Sequence, residues 1–136
     1  METSLDYGIR TVFNGSMQEA EAAVTEALKE VGFGVLTRID VAETLKNKID
    51  LERRPYVILG ACNPRYAAHA IEHEEEIGLL LPCNVIVYED EQGQTVVSAI
   101  EPLRMFELVD RDDLRGIAGE VKALLQKAID TIGNKG

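Results

Sequence analysis

The chain has 136 residues, 46% of them apolar and 28% charged, with 24 acids against 14 bases for a net charge of −10. That length and composition suit one domain, residues 1–136, large enough to fold without disulfide or metal staples. A surface so acidic repels phosphate backbones and anionic lipids, so neither nucleic acid nor a membrane is expected as a partner, and no apolar run reaches the roughly 18 residues of a membrane span.

The first six residues, Met1 to Asp6, lack a basic stretch followed by an apolar one, so no secretory or transit signal is read there. Two cysteines, Cys62 and Cys83, make no disulfide framework, and a cytoplasmic address with both thiols reduced is expected.

Residues 7–13 alternate apolar and polar side chains, the period of a strand. Asn14-Gly15 is a turn pair. Ser16-Met17-Gln18-Glu19 has the form of a capping box, in which hydroxyl and carboxylate each satisfy an orphan backbone N–H. The helix it opens carries Met17, Ala20, Val24, Ala27, Leu28 and Val31 on one face, and Gly32 suits its end. Residues 33–39 read as a second strand. Asp40 with Glu43 resembles another capping box, and Val41, Leu45 and Ile49 give a short helix one apolar face. Lys46, Lys48, Arg53 and Arg54 follow, interrupted by Asp50 and Glu52, and read as a solvated loop rather than a nucleic-acid patch.

Residues 55–62 form a largely apolar stretch expected to be a central strand. Asn63-Pro64 offers an N-cap and a first-turn proline for a helix to about residue 75. Residues 77–82 are too short and interrupted for a secure helix and read as an extended return. Residues 83–89 and 95–100 make a hairpin around a turn at 90–93. A linking segment with Leu103, Met105, Phe106 and Leu108 leads to the last helix, with Asp110 or Asp112 as its cap. Its stripe is Leu114, Ile117, Val121, Leu124, Leu125, Ala128, Ile129 and Ile132, and Gly133 ends it. Long helices at both ends with most strands between them predict an α+β fold, a mainly antiparallel five-stranded sheet with helices packed on one face.

Three stretches carry a resemblance: Ile58-Leu59-Gly60-Ala61-Cys62-Asn63-Pro64, then Glu76-Ile77-Gly78-Leu79-Leu80-Leu81-Pro82-Cys83-Asn84-Val85, then Glu101-Pro102. Over roughly residues 33–105 the chain resembles the domain of unknown function 302 family. The resemblance implies a fold similar to that of the TATA-box-binding protein, in the order β-α-β-β-β-β-α with small inserted helices, and a homodimer. It supplies no catalytic residues. It brings no DNA binding either, because function lives in sites rather than folds.

Two groups of residues invite chemistry. Cys62 closes one strand and Cys83 opens the next, each followed by an asparagine, Asn63 and Asn84. If the strands run antiparallel, the thiols lie at the same end of the sheet, where the four residues would make a ligand-binding site. Two close thiolates would also suit a soft metal or thiol chemistry. The plain alternative is a pair of small buried hydrophobes. His69-Ala70-Ile71-Glu72-His73 matches the inverted zinc-peptidase pattern, and His69, Glu72, His73 and Glu76 share one helical face where zinc is conceivable. The plain alternative there is a solvated helix face. Three functions follow: a noncatalytic module binding a small ligand or metal as a homodimer, a thiol-dependent enzyme using Cys62 and Cys83, or a structural or regulatory protein-interaction domain.

Overall fold

The computed structural model describes residues 7–134; the expectation about a leader rests on Met1 to Asp6, which lie outside them. Five strands form one sheet: β1 (Gly8–Phe13), β2 (Gly34–Asp40), β3 (Tyr56–Cys62), β4 (Cys83–Glu89) and β5 (Thr95–Ile100). Their spatial order is β1-β5-β4-β3-β2 and every pairing is antiparallel. β3 lies inside the sheet, as expected, although β4 takes the middle position. The edge strand β2 carries a bulge between Val35 and Thr37.

Helices α1 (Met17–Glu30) and α5 (Asp112–Gly133) pack on each other and against the strands. Ser16 and Glu19 complete the capping box of α1: Ser16 N–H donates to Glu19 Oε1 at 2.9 Å and Glu19 N–H to Ser16 Oγ at 3.1 Å. Ala20, Val24, Ala27 and Leu28 of α1 are buried, and so are Leu114, Val121, Leu125 and Ile132 of α5. They meet one face of the sheet, formed by Ile9, Val57, Leu59, Val85, Val87 and Val97. The strand period of two and the helix period of 3.6 thus converge on a single core.

Four shorter elements fill the connections: α2 (Val41–Ile49), α3 (Pro64–His73), a 3-10 helix (Glu75–Leu80) and α4 (Pro102–Phe106). Several differ from expectation. α2 is capped by Asp40, which accepts from Glu43 N–H at 2.9 Å, but no residue of α2 is buried and Ile49 is 64% exposed. Asn63 makes no side-chain capping bond to α3. The expected extended return at 77–82 is instead mostly the 3-10 helix. At about 2 Å per residue it still offsets most of the travel of α3, which rises about 1.5 Å per residue. Residues 102–106 form α4 rather than a plain linker, with Pro102 in its first turn and Glu101 accepting from Leu103 N–H at 2.8 Å. Five residues are too few for a helical period to register. Neither Asp110 nor Asp112 caps α5; Arg111 holds the cap position, and Asp112 and Asp113 sit in the first turn, where the helix dipole favours acids.

Leu125 is fully buried on α5, the helix that packs on α1 and on the sheet. Leu125→Ala removes that packing and leaves a cavity, so urea denaturation is expected to show a loss of about 2–5 kcal/mol with the far-ultraviolet spectrum retained.

Candidate functional site

Antiparallel pairing of β3 with β4 sets Ala61 opposite Cys83, so Cys62 and Cys83 lie at the same end of the sheet. Both are free thiols, Cys62 half-buried and Cys83 buried. Together with Asn63, Phe33 and Phe106 they line a small apolar void of about 30 Å³. The side-chain amide of Asn63 also lies against the space beside Gly32, whose φ of 90° ends α1. Asn84 does not join this group. It follows Cys83 in the strand, so the pleat sends it to the opposite face. The four-residue site expected from the sequence is therefore split.

The histidine face is also broken. α3 ends at His73 and the chain turns extended at Glu74, so Glu76 belongs to the 3-10 helix and not to the face of His69, Glu72 and His73. The two imidazoles stack with centroids 4.4 Å apart, and His73 Nδ1 lies 2.9 Å from the carbonyl oxygen of His69. Among the described residues no three His, Cys, Asp or Glu side chains gather as a metal ion requires.

The second face of the sheet was not foreseen as a site. It carries one row, in register, of Arg10, Ser98, Ile86, Ile58 and Ile39, and a neighbouring row of Val12, Val96, Tyr88 and Tyr56. Helices leave this face open enough that Arg10 and Asn84 are exposed and Tyr56, Ile58, Ile86 and Tyr88 are half-buried. The small residues Gly8 and Ser98 sit among taller neighbours, and a trough of about 510 Å³ lies over them. One wall is an ordered ladder. The guanidinium of Arg53 lies 5.1 Å from the ring of Tyr56, Tyr56 stacks on Tyr88 at 5.6 Å, and the Tyr88 hydroxyl accepts from Arg10 at 2.8 Å. Arg54 is tied down as well, its Nε–H donating to the carbonyl of Glu89 at 3.0 Å. Arg53 and Arg54 stand in an exposed loop, as expected, and each is held there by one of these contacts. The signal was present in the strand period: the positions facing away from the core hold tyrosine, isoleucine and asparagine, where lysine and glutamate are usual on a solvated face.

The family model described as domain of unknown function DUF302 matches residues 9–132. The chain belongs to the DUF302 family. The match is wider than the residues 33–105 that carried the resemblance. A solved relative, described as an uncharacterized conserved protein DUF302 from Bacillus stearothermophilus, is 29% identical and superposes with a TM-score of 0.88 over 94% of this chain and 99% of that one. No curated protein matches. Membership in DUF302 fixes the fold and assigns no chemistry, so the side chains themselves must argue it.

Burial first, and then the nearby Cys62, push the thiol of Cys83 up from 9.0 to about 11. At neutral pH it holds its proton, the opposite of what an activated nucleophile needs. The same shift predicts a pH dependence of stability. Below pH 9 the folded and unfolded chains both keep the proton and the contribution is complete. As pH rises through 9 towards 11 the unfolded thiol ionises and the folded one does not, so about 2–3 kcal/mol is lost. Urea denaturation at pH 8 and pH 11 is expected to show the wild type losing more stability than Cys83→Ala across that interval.

Proposed function

We propose that this DUF302 protein is a noncatalytic binding module that works as a homodimer and holds a small organic ligand in the trough on the open face of the sheet. The observation that carries the reading is the contrast between the two candidate sites. The void at the thiols is small, about 30 Å³, whereas the trough, at about 510 Å³, falls within the roughly 300–1,000 Å³ of small-molecule sites. The trough also has the composition such sites have, an apolar floor of Ile58, Ile86 and Ile100 with a few polar groups around it.

The chain contains four tyrosines and no tryptophan. Tyr7, Tyr56 and Tyr88 line the trough, while Tyr66 donates its hydroxyl to Glu120 on the helical side. Tyrosine emission therefore reports chiefly on the proposed site. A fragment library followed by tyrosine emission is expected to yield ligands whose amide shifts, in two-dimensional NMR, centre on Ile58, Ile86 and Ser98. Binders that instead shift Cys62, Cys83 and Phe106 would refute the assignment.

The dimer reading rests on a surface beside the trough. Leu79 of the 3-10 helix and Leu108, just past α4, stand 82% and 79% exposed. Both border hollows of about 480 and 340 Å³. Protruding leucines next to hollows on one surface are self-complementary, as a two-fold interface requires. Light scattering is expected to give about twice the 15.0 kDa chain mass. The double variant Leu79→Glu with Leu108→Glu is expected to return the single-chain mass.

A further inference from the structure

We infer that the ligand of the trough is a planar aromatic anion, an aromatic carboxylate or its chemical equivalent, seated with its charge on Arg10. This rests on the trough being the binding site and adds the class of ligand. The first ground is charge. Acids make up 24 of the 136 residues, yet among the described residues none of the eleven that line the trough carries a carboxylate, and the one charged side chain among those eleven is Arg10. In a chain of net charge −10 this is a local reversal of sign. The acidic remainder repels long polyanions, so the site suits a compact single anion and not a phosphate polymer.

Geometry supplies the second ground. Among the described residues, the one side-chain hydrogen bond of Arg10 goes to the Tyr88 hydroxyl at 2.8 Å. A guanidinium has five N–H donors in a planar fork. The tyrosine holds the fork in place and leaves the other donors for a carboxylate, which accepts two of them in parallel. Arg10 stands opposite Ser98 in the register, and Ser98 opposite Ile86. An anion on Arg10 therefore has its body over the Ser98 dip and the isoleucines, beside the stacked pair Tyr56 and Tyr88. Flat aromatic surface is what a tyrosine wall and an isoleucine floor accept with least rearrangement.

The test compares 2-naphthoate with its neutral isostere 2-naphthamide, titrated into the full chain by NMR. Naphthoate is expected to bind tighter by roughly tenfold or more, as charge-assisted hydrogen bonds give, with shifts at Ser98, Ile86 and Tyr88 and weaker binding in added salt. Arg10→Gln is expected to weaken naphthoate by roughly tenfold or more and to remove its salt dependence, with a much smaller effect on the amide. Ser98→Leu, which fills the dip, is expected to abolish both. Equal binding of the two probes, or naphthoate binding indifferent to Arg10→Gln and to salt, overturns the anion assignment while leaving the trough as a site. Failure of both probes and of every library fragment to shift trough residues overturns the binding reading itself.

Discussion

The pleat of the five-stranded sheet sends successive side chains to opposite faces, and α1 and α5 cover only one of them. Almost everything else follows from that asymmetry. On the covered side, valines and leucines of β3, β4 and β5 interlock with the stripes of two long helices. On the other side, the same strands must present something to their surroundings. A sheet that only met water would carry charged side chains there. This one carries Tyr56, Ile58, Ile86, Tyr88 and Ile100, with Arg10 and Asn84 among them. The apolar cost of such a face makes sense if it is occupied during the protein's working life.

The same alternation explains why one candidate site gave way to another. Asn63 and Asn84 look equivalent in the sequence, each following a cysteine. In the fold they part, because Cys83 is the first residue of β4 and its neighbour must turn away from the core. Cys62 is the last residue of β3, where the chain is already leaving the sheet for α3. Of the two thiols, Cys83 belongs to the buried apolar cluster, and its burial holds its proton.

Elements with a sustained period were legible in the sequence. The stripes of α1 and α5 announced both helices, and the alternation in β1 and the hairpin of β4 and β5 announced their strands. The antiparallel proximity of the thiols was also derivable, because a helix followed by a compact return brings the chain back to its starting edge. Short elements were not legible. α4 and the 3-10 helix are held by local caps and by neighbours, not by any repeat of their own. The trough was missed for a different reason. Its members come from β1, β3, β4 and β5, and only the register places Arg10 beside Ser98 and Tyr56 beside Tyr88. Reading the outward positions of each strand as a set would have pointed to the face, though not to the ladder.

The bulge between Val35 and Thr37 sits on an edge strand, where backbone N–H and C=O groups would otherwise invite another strand to pair. An extra residue there kinks and twists β2 out of the flat geometry such pairing needs. Growth of the sheet from one molecule into the next is thereby discouraged along β2.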